Sequence, residues 1–173
     1  MAVKIANLPL EIAHFNHFKD RIPKFRTMDE KTLNTLLELG IIEVSTAFEQ
    51  ALANVGGHEV VSLDKGDLYR DGAYSDAKLS SVRTSSYGQQ YGAPVTAIHN
   101  KTGTLRVQVY ERKQNKFYYF AIPRRAYIDV PKSSNIEIPF EIDGTPRRTP
   151  RRQVYVNWWR YEVPTWTELA SVD

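Results

Sequence analysis

The chain has no cysteine, which rules out disulfides, thiolate-bound metal and a cysteine nucleophile, and fits a reducing compartment. No apolar run approaches the roughly 20 residues that span a bilayer, so no membrane helix is expected. The amino terminus, MAVKIANLPLEIAHF, lacks the continuous apolar core and small-residue cleavage site of a signal peptide, and a cytoplasmic location is the expectation. There is no Gly-x-Ser-x-Gly elbow and no Gly-rich phosphate loop ending in Lys-Ser or Lys-Thr, which disfavours serine hydrolases of that type and ATP-driven mechanisms. Histidine is scarce: His14, His17 and His99 are too dispersed for the dense ligand set of a zinc site. Repeats long enough to build a second domain are also missing, and 173 residues suffice for one compact domain with a core.

What the chain does have is segregated charge. Its net charge is only +3, but between Ala77 and Ile128 nine basic residues stand against one acid, Glu111. That segment carries +8 and leaves −5 for the rest. A surface that contacts a polyanion needs such segregation, because each phosphate it neutralises releases condensed counterions. Spread over several solvated strand faces, the same residues would carry no such meaning.

Periodicity divides the chain into two styles. Thr27-Met28-Asp29-Glu30 fits a capping box, with Leu33, Leu36 and Leu37 following at helical spacing, and that helix should end at Gly40. Ile41, Val44, Phe48, Leu52 and Val55 form a second helical series, stopped by Gly56-Gly57. From His58 onwards the period changes to that of strands. His58 to Leu63 and a short piece after Asp64-Lys65-Gly66 are extended, Arg70-Asp71-Gly72 is a turn, and Tyr74 to Val82 alternates Ala77 and Leu79 against Asp76 and Lys78. Ser85 to Pro94 reads as a loop rich in Gly, Gln and Tyr. Leu105 to Lys113 and Lys116 to Ile122 form the clearest hairpin, ended by Pro123. Ile136 to Ile142 and Val154 to Val163 are weaker strand candidates, and TWTELASVD can add a helical turn. The expected class is α/β of the α+β kind, a mixed central β-sheet flanked by helices. It forms a single domain over residues 1–173, with a helical part over 1–57, the sheet over 58–128 and a basic, aromatic extension over 129–173.

The constellation with chemical content is Asp67 followed by Asp76-Ala77-Lys78. Two carboxylates brought together by a bent strand pair can hold a hard divalent ion, and a Lys two residues after the second points to the same side. An acid followed at variable distance by acid-x-Lys is a loose pattern, so its setting carries the weight. Here the triplet follows a turn, turns Ala77 and Leu79 the opposite way, and opens the basic segment. Asp64 can replace Asp67, since both flank the same turn, although Asp67 is closer to the second extended piece. The rival triplet Glu111-Arg112-Lys113 has no upstream acid nearer than Asp76, 35 residues away, and sits at a hairpin tip where solvated charge is expected.

From about Thr46 to Ile122, a little under half of the chain, this order resembles the PD-(D/E)xK nuclease superfamily, which includes many type II restriction endonucleases. Asp67 matches the first acid, Asp76 the second and Lys78 the lysine, while Gly66 stands where the family often has proline. Such nucleases often carry a further acid on the preceding helix, for which Glu49 is the better candidate and Glu43 the weaker. The resemblance implies a restriction-endonuclease-like core. It also implies Mg²⁺, with Mn²⁺ as a substitute, ligated by Asp67, Asp76 and the carbonyl of Ala77, and hydrolysis of double-stranded DNA with Lys78 orienting the attacking water. A homodimer reading a symmetric site is implied as well.

The remaining basic and amide residues read as nucleic-acid contacts. Gln89 and Gln90 can pair with adenine edges and Arg106 or Arg112 with guanine edges, while Arg83 and Lys101 lie in the same basic segment. Thr145-Pro146-Arg147-Arg148 repeats at once as Thr149-Pro150-Arg151-Arg152, a stiffened segment whose four arginines either clamp phosphates or form a solvated basic loop. In a strand, one of Trp158 and Trp159 would face the core and the other would be free for a dimer interface or a base. Beside the endonuclease stand two alternatives: a non-catalytic nucleic-acid-binding protein and a structural assembly protein whose aromatic hairpin makes subunit contacts.

Overall fold

The computed structural model describes residues 2–5, 8–11, 31–32, 35, 44–81, 83–84, 90–91, 100–111, 116–128, 145 and 158–173. Two short strands, β1 (Ala2–Ile5) and β2 (Leu8–Glu11), pair antiparallel with each other. Helix α1 (Val44–Gly56) then leads into β3 (Glu59–Leu63), β4 (Gly66–Arg70) and β5 (Ala73–Ser81), an antiparallel meander. A two-residue ladder joins β6 (Arg83–Thr84) to β7 (Gln90–Tyr91). Strands β8 (Thr104–Glu111) and β9 (Lys116–Ile122) form a hairpin, followed by α2 (Arg124–Tyr127). A 3-10 turn (Trp158–Tyr161), β10 (Glu162–Val163) and α3 (Trp166–Ser171) complete the order.

The central sheet has six strands in the order β10-β9-β8-β5-β4-β3. β5 and β8 run parallel and the other four pairings are antiparallel, so the sheet is mixed and the class is α+β. Strand alternation gives it two packed faces. On one, α1 and α3 bring Phe48, Leu52 and Leu169 onto Leu68, Ala77 and Tyr119. On the other, Leu105, Val107, Tyr118, Phe120 and Ile122 pack with Tyr127 and Trp158. Full burial of each large side chain here is worth about 2 kcal/mol against exposure.

Local chemistry explains the elements that frame the centre of the sheet. α1 ends where the His58 N–H donates to the Ala53 carbonyl at 3.0 Å, the long bond of a glycine-type helix cap. The β4–β5 turn holds Asp71 and Gly72 at φ values of +49° and +85°, the left-handed pair that a tight hairpin needs. Thr165 caps α3, its Oγ1 accepting the Glu168 N–H at 3.2 Å. Two arginines then tie both helix ends to the sheet. Arg70 donates to the carbonyls of Gly56 and Ser171 and pairs with Asp173, and Arg106 donates to the carbonyl of Leu169 at 2.6 Å. Cations at helix C-termini also complement the helix dipoles.

Several expectations change. The helix expected over 27–40 lies outside the described residues apart from 31–32 and 35, which are helical, and the strand expected over 136–142 lies wholly outside them. Of the expected strand 154–163, the described residues are 158–163: 158–161 form a 3-10 turn, and Glu162 and Val163 pair with β9. Neither tryptophan is turned away: Trp158 is fully buried, and Trp159 makes edge-on contacts with Tyr118 and Phe120 at 5.4 and 5.3 Å. A tight turn over an aromatic strand lets both indoles reach it, where an extended strand would have separated them.

Candidate functional site

The register of β4 against β5 pairs Leu68 with Ser75, and its next step sets Asp67 opposite Asp76. Leu68 and Ala77 face the helices, so Asp67, Asp76 and Lys78 share the opposite face. Like charges directly opposite each other weaken a sheet, and here they stand at its centre, Asp76 lying beside Leu105 of β8. The Asp67 Oδ2 atom accepts the Ala77 N–H at 3.1 Å, which fixes the first carboxylate against the backbone of the triplet.

Asp76 is only 1% exposed. The Lys78 ammonium is 3.2 Å from its Oδ2 and 3.9 Å from Asp67 Oδ2, and the Lys101 ammonium is 2.8 Å from Asp76 Oδ1. The ion pairs are close in distance, yet neither Asp76 oxygen receives a hydrogen bond of sound geometry. The buried carboxylate is therefore held chiefly by charge, one ammonium at each oxygen, rather than by a directional hydrogen-bond network. Burial, and after it the negative charge of Asp76, pushes the Asp67 carboxyl above its ordinary range, against the pull of the Ala77 N–H and of Lys78. Two carboxylates facing one another beside the Ala77 backbone are donors of the type a hard divalent cation takes, with two ammonium groups now standing on Asp76.

Lys101 is built into this arrangement by its loop. Its carbonyl accepts from Arg124 Nε at 3.3 Å, the Thr102 N–H donates to the Lys65 carbonyl at 3.3 Å, and Tyr127 Oη donates to the Gly103 carbonyl. Only glycine fits at 103, because a Cβ there would lie 1.6 Å from the Tyr74 carbonyl oxygen. Burial, opposed by Arg124 and reinforced by the charge of Asp76, pushes the Tyr127 hydroxyl up to about 12, so it remains a donor.

The other expected site residues fall differently. Glu49 lies on α1, which covers the Leu68 and Ala77 face, across the sheet from the two aspartates. Among the described residues no group of three or more His, Asp or Glu is placed to hold an ion. Asp64 is exposed in the β3–β4 turn, leaving Asp67 as the acid beside Asp76. Arg106 is not a base reader: it is 2% exposed, donating from Nε to Ser75 Oγ at 3.1 Å and lying 3.3 Å from His58 Nε2. Lys101, expected on a nucleic-acid surface, is instead held against Asp76. Glu111 is buried rather than solvated. In the β6–β7 ladder the backbone of Arg83 pairs with Tyr91 and that of Gln90 with Thr84. Glu43, Gln89, Arg112, Arg147, Arg148, Arg151 and Arg152 lie outside the described residues.

A cleft of about 300 Å³ opens on the helix side, lined by His58, Arg70, Ser75, Arg106 and Asp173. Its two guanidinium groups are already bonded to the carbonyl ends of α1 and α3, so the cations there serve the fold. No segment signal pointed to Lys101 or Tyr127 as neighbours of Asp76. Their contacts cross from β5 to residues beyond the β6–β7 ladder, and a lysine in a Thr-Gly turn ahead of a strand has no local mark. Comparison with protein-family models, with curated proteins and with solved structures finds no match to this chain.

Proposed function

We propose that the protein is a Mg²⁺-dependent endonuclease that hydrolyses phosphodiester bonds of double-stranded DNA, with a restriction-endonuclease-like core. The observation that carries this reading is Asp76, a buried carboxylate at the centre of the sheet, set opposite Asp67 with the ammonium of Lys78 beside both. The order of helix, three-strand meander and parallel fourth strand, with the acids on its second and third strands, supports the same reading. Asp67, Asp76 and the Ala77 carbonyl would hold Mg²⁺, or Mn²⁺ in its place. When bound, such an ion makes water a nucleophile near neutral pH and offsets charge on the phosphoryl oxygens.

The chain's own residues then have distinct tasks. Asp67, anchored by the Ala77 N–H, sets the direction of approach. Lys78 is 29% exposed at its side chain, and its ammonium lies 3.2 Å from Asp76 and 3.9 Å from Asp67. From there it orients the attacking water and donates to a phosphate oxygen as negative charge develops. The basic segment supplies the sequence-independent attraction for the duplex, and a homodimer cutting at a specific symmetric site would provide two equivalent centres. Incubation of plasmid DNA with the protein tests the activity: nicked and linear products are expected with Mg²⁺ and none with EDTA. Salt-sensitive DNA binding without cleavage under any divalent ion would favour a non-catalytic binding protein instead.

A further inference from the structure

Each oxygen of Asp76 has its own ammonium, Lys78 at Oδ2 and Lys101 at Oδ1, and the acid-x-Lys chemistry uses only the first. Lys101 needs a separate explanation. Its side chain is 10% exposed, against 29% for Lys78, so it is too enclosed to meet a bulky polyanion. Its loop is fastened from three sides, by Arg124, Tyr127 and the Lys65 carbonyl, and Gly103 lets that loop lie against β5. The ammonium is therefore built in rather than adventitious.

We propose that Lys101 is the resident counter-ion of the metal-free centre and competes with the divalent cation for Asp76. The proposal rests on the reading of Asp67 and Asp76 as metal ligands. In the free protein two carboxylates and two ammonium groups sum to zero charge, so the buried acids are tolerated without a metal. Adding a divalent ion raises the centre to +2, a charge that the phosphodiester anion and a hydroxide would cancel. The free protein thus binds metal weakly, and a polyanionic substrate favours the loaded state. Lys101 is a positioning residue, acting through Asp76 and never touching substrate.

Binding of Mn²⁺ alone to the full chain, followed by electron paramagnetic resonance and by melting temperature with and without the ion, tests this. Lys101→Met and Lys101→Gln are expected to bind Mn²⁺ about tenfold or more tightly than the parent chain, the scale of removing one positive charge from within a few ångström of a divalent ion. Both should also melt lower in EDTA and gain more from Mn²⁺, while Lys101→Arg should retain the parent affinity. Equal or weaker Mn²⁺ binding by both neutral variants, with the parent still binding above the level of Asp76→Asn, would overturn the counter-ion role alone. If no chain binds Mn²⁺ above the level of Asp76→Asn, the metal reading falls and the counter-ion role with it.

Discussion

Arg106 and Asp76 are both buried charges near the middle of one sheet, on adjacent strands and opposite faces, and they are bonded in opposite ways. Arg106 donates to Ser75 Oγ and to the Leu169 carbonyl and lies against His58 Nε2. Asp76 is held instead by two ammonium groups, at 3.2 and 2.8 Å, and faces a second carboxylate across the strand pair. A charge kept for structure is surrounded by partners that satisfy it, because an unsatisfied buried group costs about 1–3 kcal/mol or more. A carboxylate held by ammonium groups beside a second carboxylate can exchange those counter-ions for a metal cation, the role proposed for Asp76. Stability should therefore concentrate at Arg106 and metal affinity at Asp76.

Arg106→Met gives the largest expected effect on stability. It deletes hydrogen bonds to a charged group and leaves the Leu169 carbonyl and Ser75 without their donor, a loss of about 3 kcal/mol in urea unfolding, with Mn²⁺ affinity unchanged. A variant that kept its stability and lost metal binding would dissolve the contrast.

His58 sharpens the structural side. Burial first, and then the charge of Arg106, lowers its imidazole from 6.5 to about 4. The folded state therefore prefers the neutral ring. Its stabilising contribution is complete above pH 6.5 and is lost as the pH falls towards about 4, a decline of up to about 3 kcal/mol. The difference in unfolding free energy between the parent and His58→Gln should shrink over that interval, and parallel pH profiles would remove His58 from the buried network.

Asp67 probes the functional side on a smaller scale. Its carboxyl is held above the ordinary range, so its favourable contribution is present at acid pH and disappears as the pH rises and the group ionises beside Asp76. Asp67→Asn, measured in EDTA, should be more stable than the parent at neutral pH and lose that advantage as the pH falls and Asp67 takes up its proton. No gain at neutral pH would mean that the two carboxylates do not repel.

The elements legible in the sequence are those whose cause is local. The glycine stop of α1, the Asp71-Gly72 turn and the β8–β9 hairpin follow from short-range patterns, as does the alternation that turns Asp76 and Lys78 away from Ala77. Contacts between distant segments left no such trace. Arg106 bonds to Leu169, 63 residues on, and so reads from sequence as one more solvated cation of a basic segment. Lys101 reads the same way until the parallel pairing of β5 with β8 brings its loop to Asp76. The aromatic run at Trp158–Tyr161 suggested a strand because bulky rings favour both extended chain and tight packing, and only the neighbouring rings of Tyr118 and Phe120 decide between them.

Asp76→Asn, compared with the parent chain for plasmid cleavage in Mg²⁺ and for DNA binding at matched salt, tests the central claim most directly. Loss of cleavage by a factor on the order of 10²–10³, with DNA binding and folding retained, is the predicted result. Undiminished cleavage by Asp76→Asn would contradict it.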